Sequence, residues 1–298
     1  MAIALMDSVI DVDNPPDQLN RYKVSLAKLV HTEGNLVGAR TKVEDVLASD
    51  SSQVEALKMS AEWLISDDKP EDAIGQLRIA LDQEPDDSEA MMLMSDAHLR
   101  MGDRELAQDL LSLAVDASDH APRESIRFAE FLLAEESVRP AENVLLNALR
   151  NDPDNFRILN MLGQVYIQTE DWGRADQIAA TFRRMDSERA QAAAANLEYQ
   201  AIGRRQGRDQ AIAFLENMAE SDDNANVARV GLIRSRLRSG DAEGAVALAQ
   251  ELSAEAPDNA RIKMILGNTQ IAAGRYAEAE AVFEEIVRDF PRCLLYTS

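Results

Sequence analysis

Cysteine is almost absent from this sequence. Cys293 is the single thiol in 298 residues, which excludes an internal disulfide and any metal centre built from several thiolates. Aromatic residues are scarce at 5%, and there are only nine prolines and thirteen glycines. A sandwich or barrel draws on aromatic and β-branched strands joined by many Gly and Pro turns, so an all-β fold is disfavoured. Positive charge is in deficit, with 31 Lys and Arg against 53 Asp and Glu and a formal net charge of −22. A chain of that sign is repelled by phosphate backbones and anionic lipid, which excludes nucleic acid as a principal partner. No stretch approaches the roughly 20 apolar residues that span a bilayer, so no direct membrane insertion is expected. The opening run from Met1 to Met6 has no basic flank and meets Asp7 too early for a secretory signal. His31, His98 and His120 fall on no His-Glu-x-x-His spacing, and neither a phosphate-cradling glycine loop nor a Gly-x-Ser-x-Gly elbow is present. The sequence therefore assigns no catalytic residue, no cofactor and no metal.

What is abundant is helix-forming. Apolar residues make up 46% and charged residues 28%, enough for a folded core, and Ala, Leu, Glu and Arg dominate. In one stretch Leu57, Ala61 and Leu64 share a helical face, as do Ala73, Leu77 and Ala80, giving two amphipathic helices with small residues where they cross. The segment Ser66 to Pro70 supplies the turn between them, and Pro70 can open the second helix. Aspartate-rich turns such as Asp152 to Asn155 lack the 12-residue calcium loop and read as helix caps.

Proline followed by Asp recurs at Pro85, Pro153 and Pro257, with Pro291 34 residues after the last. Alanine marks the same phase at Ala39, Ala73, Ala107, Ala141, Ala175, Ala211, Ala245 and Ala279, with spacings of 34, 34, 34, 34, 36, 34 and 34. Together with Leu162-Gly163, Tyr166 and Trp172, and with Leu266-Gly267, Tyr276, Phe283 and Pro291, this pattern resembles the tetratricopeptide repeat family. The resemblance implies an all-α, right-handed superhelical solenoid of antiparallel helix pairs. It divides the chain into eight repeats at 20–53, 54–87, 88–121, 122–155, 156–191, 192–225, 226–259 and 260–291. The fifth repeat carries an insertion. The sixth is degenerate, its first helix is expected over Ala192 to Gly203, and Gly203 marks it as a weak joint.

In the resembling family the concave groove is lined by fixed positions of each first helix. Carried onto this sequence, those positions hold an apolar ridge that includes Leu133, Ile167, Leu237 and Ile271. They also hold a basic set, Arg123, Arg127, Arg157, Arg204, Arg234, Arg238 and Arg261, against the single acid Glu130. Earlier repeats are more acidic, with Glu55, Glu62, Glu89 and Asp96 against Lys58 and Arg100. Two readings stay open at this stage: the arginines pair with acids on neighbouring helices, or they take an acidic ligand. The clamp that holds Hsp70 and Hsp90 tails resembles Lys58, Arg123 and Arg127, but Glu62 and Leu93 stand where it needs asparagine, so chaperone tails are excluded. The expected function is a non-catalytic scaffold holding a protein or peptide segment, acidic in the second reading. The alternatives are the interaction arm of a larger enzyme such as a glycosyltransferase, or an envelope polysaccharide-export scaffold.

The run Asp171 to Asp176 is also similar to long bacterial proteins of exopolysaccharide and exosortase systems, which implies a bacterial source. At the start, Leu5, Val9 and Val12 fall in the phase of a second helix, so 1–19 is expected to close a truncated preceding repeat. At the end, residues 292–298 show neither helical period nor polar cap. They resemble adapter read-through, which would make Cys293 non-native. A truncated start leaves the compartment open between cytoplasm and a lipoprotein-anchored periplasmic location.

Overall fold

A computed structural model of the chain describes residues 16–220 and 225–290, and its regular structure is entirely helical. Sixteen α-helices and no strand occur among the described residues. The expectations for Leu5, Val9, Val12 and the segment 292–298 lie outside them. The helices fall into two compact units, Met1–Ile158 and Leu159–Ser298. The first holds α1 (Pro16–Thr32), α2 (Leu36–Ser49), α3 (Val54–Ser66), α4 (Pro70–Gln83), α5 (Ser88–Met101), α6 (Arg104–Ala117), α7 (Pro122–Ala134) and α8 (Val138–Asn151), with the division falling inside α9 (Phe156–Gln168). The second continues with α10 (Trp172–Arg184), α11 (Glu188–Gln206), α12 (Arg208–Ala219), α13 (Ala225–Arg238), α14 (Ala242–Glu255), α15 (Ala260–Ala272) and α16 (Tyr276–Asp289).

Each unit is an all-α solenoid of helix pairs in which α1 packs on α2, α3 on α4 and α5 on α6, and likewise α13 on α14 and α15 on α16. The helices begin where the local chemistry directs. Asp87 accepts from the Ala90 amide, Asp171 from Arg174 and Asp241 from Gly244, at 2.9, 3.1 and 2.9 Å. Such caps contribute about 1 kcal/mol each. Pro70 and Pro122 occupy first turns, where no amide is needed. Val54, Ser88, Pro122, Phe156 and Ala260, reached by counting 34 residues along the sequence, each open a helix.

The eight phased alanines are all buried, at 0 to 1% exposure. Small residues are required there because the helices cross closely, and the glycines on the facing helices tell the same story. A Cβ built on Gly267 would lie 2.7 Å from the Phe283 ring, and one on Gly231 would lie 3.1 Å from Leu215.

The irregular sixth pair departs from expectation. Its first helix, α11, runs for 19 residues from Glu188 to Gln206, so the division placed at 191/192 falls inside a helix. Ser187 caps it by accepting from the Ala190 amide at 3.2 Å, and this is why it starts a turn early. The helix continues through Gly203 without a break and ends at Gly207, φ +97°. Gly203 therefore lies inside a continuous helix. Likewise α1 begins at Pro16 and not at Asn20, which takes residues 16–19 into the first described helix.

Candidate functional site

The basic residues read from the sequence separate into two environments. In the first unit, the first helices α1, α3, α5, α7 and α9 share a face crossed by ion pairs. Lys28 pairs with Glu55, and Lys58 reaches Glu55, Asp87 and Glu89 at 2.6, 2.8 and 3.0 Å. Arg123 joins Glu89 at 3.1 Å, Arg127 joins Asp96, and Arg157 joins Glu130 at 3.5 Å. Lys58 is only 7% exposed. Burial opposes its charge, but hydrogen bonds to Asp87, Glu55 and Glu89 outweigh that and push its pKa above the ordinary lysine value. Glu55 is the counterpart: burial would raise its pKa, yet Lys28 and Lys58 hold it below the usual carboxylate range.

Arg123, Arg127 and Arg157 are thus each held by an acid of the preceding first helix, the first of the two arrangements left open for them. The apolar ridge is corrected at one position, Ile167. Ile167 is 3% exposed and belongs to the interior, and Leu133 and Leu237 are half-buried. Ile271, at 44% exposure, lines a cleft with Tyr276 and Phe283 of α16. Ile167 is apolar because it fills a helix contact, a demand the sequence pattern cannot separate from a groove.

The second unit holds a different arrangement. A pocket of about 120 Å³ lies among α11, α12, α13 and α15, with Ala192, Ala195, Leu215, Val227, Val230 and Ile265 as its apolar wall. Into it come Asn196 and Tyr199 from α11, Arg234 and Arg238 from α13, and Glu188 and Arg261 at its rim. Tyr199 shares a 2.9 Å hydrogen bond with the buried Ser235 hydroxyl, and the Arg238 guanidinium stands 5.3 Å from its ring centroid. Arg261 is bound at 2.8 Å by Glu188, so the early start of α11 supplies the acid that neutralises it. Arg234 and Arg238 are exposed and form no ion pair among the described residues. They sit one helical turn apart on one face. Arg204, exposed at the end of α11, does not line the pocket.

Sequence reading missed Asn196, Tyr199 and Glu188 as contributors. A signal existed: Glu198 and Tyr199 replace the Leu-Gly expected there, and the aromatic now carries Arg238. Among the described residues no group of three His, Cys, Asp or Glu could hold a metal, and no helix is long and apolar enough to cross a membrane.

Paired helices repeated at a fixed period define a class of α-helical repeat proteins. The model of the tetratricopeptide repeat matches residues 64–123 and 236–297, so each unit carries tetratricopeptide repeat sequence. The fold is similar to that of PilF from Pseudomonas aeruginosa, with a TM-score of 0.54 at 15% identity over 68% of this chain and 91% of that one. It is also similar to a tetratricopeptide repeat protein from Parabacteroides merdae, with a TM-score of 0.52 at 13% identity over 85% and 99%. A chain in a Naa15/Naa10 complex bound to HypK-THB aligns with 92% of this chain at a TM-score of 0.47 and 14% identity; this chain spans 42% of its length. A search of curated proteins finds no match.

Proposed function

We propose that this protein is a non-catalytic interaction scaffold whose second unit takes an acidic protein segment at the pocket bearing Arg234 and Arg238. Tetratricopeptide repeat proteins are in general scaffolds for protein or peptide partners, which supports the coarse part of the reading. The finer part rests on one observation: these two guanidiniums lack acidic partners among the described residues while Arg123, Arg127, Arg157 and Arg261 all have one. Carboxylates one turn apart on a helical segment, or two residues apart on an extended one, match their spacing. The apolar wall of Val227, Val230 and Ile265 gives such a segment a surface to desolvate against.

Fluorescence anisotropy with a labelled Asp/Glu-rich peptide tests this. Binding weakens with added salt, and Arg234→Glu with Arg238→Glu weakens it at least about tenfold. Arg123→Glu with Arg157→Glu has a much smaller effect. Equal binding by wild type and the Arg234/Arg238 variant refutes the reading.

A further inference from the structure

The end of the second unit carries an apolar face that no described residue covers. Ile271 on α15 is 44% exposed, Tyr276 and Val287 on α16 are 70% and 51% exposed, and Phe283 is only half-buried. Together they line an open cleft of about 580 Å³. The places 34 residues earlier show what such a face is built for. There Ala249 is 1% exposed and Leu237 packs into a core completed by Ile262 and Leu266 of the next first helix, α15. A helix covers α14, and the chain presents the same surface on α16.

Charge says which kind of helix. Glu280 and Glu284 lie on the same cleft one turn apart and form no ion pair among the described residues, while Arg288 is held by Asp289 at 2.9 Å and Glu285 by Lys263. A second copy would bring Glu280 and Glu284 against themselves on chains of net charge −22. We propose that the cleft formed by Ile271, Tyr276, Phe283 and Val287 docks an amphipathic helix of a partner protein, with its apolar stripe on the cleft and basic residues on its flank facing Glu280 and Glu284. This surface is separate from the Arg234/Arg238 pocket, and the two stand or fall independently.

The test uses the full chain and a labelled synthetic helix of about 16 residues, with leucines at i, i+3, i+4 and i+7 and lysines on the flanks. A second peptide carries glutamates in place of the lysines. The lysine peptide binds and the glutamate peptide does not. Tyr276→Asp with Val287→Asp weakens binding at least about tenfold, and Glu280→Lys with Glu284→Lys transfers the preference to the glutamate peptide. All four residues are exposed, so folding is retained. Arg234→Glu with Arg238→Glu leaves lysine-peptide binding unchanged. The proposal is overturned if the lysine peptide fails to bind or if the Tyr276/Val287 variant binds equally. It is also overturned if sedimentation shows self-association that this variant abolishes, since a second copy is then the occupant.

Discussion

In seven of the eight described helix pairs the backbone between the two helices passes through the left-handed region at the same phase; the exception is the sixth pair, which turns at Gly207. Gly34, Gly102, Gly240 and Gly274 do so with φ near +80°, and Asp68, Glu136 and Glu170 do so with φ of 60, 57 and 59°. The turn is closed by an amide reaching back five residues, as in Ser137 to Leu132 at 2.8 Å and Asp171 to Tyr166 at 2.9 Å, the arrangement in which glycine is favoured. Glutamate at that position carries a Cβ penalty of about 1 kcal/mol, partly offset by the greater unfolded-state freedom of glycine. Glu136→Gly is therefore expected to stabilise by a few tenths to about 1 kcal/mol, and Gly102→Ala to destabilise by about 1 kcal/mol. Urea unfolding of both variants checks the opposite signs. Glycine marks four of these turns in the sequence, but those at Glu136 and Glu170 carry no such mark, because their conformation is imposed by the helices on either side.

Helix α11 shows how far an element can be read. Its face toward the core was legible in Ala194, Ala195, Leu197 and Ala201, all buried. Its length was not: the cap at Ser187 and the turn through Glu188 depend on a hydrogen bond and an ion pair that a 34-residue count does not contain. Gly203 sits in ordinary helix with a Cβ position 3.6 Å from the Ala211 Cβ, a normal contact distance. Gly203→Ala should accordingly raise stability by about 0.5–1 kcal/mol, the cost of glycine in a helix interior. A thermal melt showing a lower midpoint would mean that α11 flexes at this residue after all.

At the scale of the molecule the charges organise stability. The pKa of Glu55 is depressed, so its contribution is present above the unfolded carboxylate value near about 4.3 and is lost as pH falls through the lower folded value. Lys58 has a raised pKa, so its contribution is complete below about 10.4 and is lost as pH rises through the folded value. The urea midpoint should be nearly flat between about pH 6 and pH 9 and fall below about pH 4. Lys58→Met leaves Glu55, Asp87 and Glu89 without their shared cation, although Glu55 and Glu89 keep 39% and 40% side-chain exposure and water offsets part of the loss. A loss of about 2 kcal/mol at neutral pH is expected, with a shallower acid limb. An unchanged midpoint would remove the Lys58 ion pairs from the account of stability.

The sequence by itself determined the all-α repeat: its period, the buried alanines from Ala39 to Ala279, the close approach at Gly267 and most helix starts. These are local demands, since a helix crossing needs a small residue and a helix start needs a cap wherever in the chain they occur. Tertiary structure decided which arginines are paired. Arg127 and Arg234 both fall at first-helix positions carried over from the family pattern, but Arg127 pairs with Asp96 of the neighbouring first helix whereas Arg234 lines a pocket with Asn196, Tyr199 and an apolar wall. Whether a cation is neutralised depends on which residue another helix brings within about 4 Å, and that is a property of helix packing, which a list of positions along one helix does not contain.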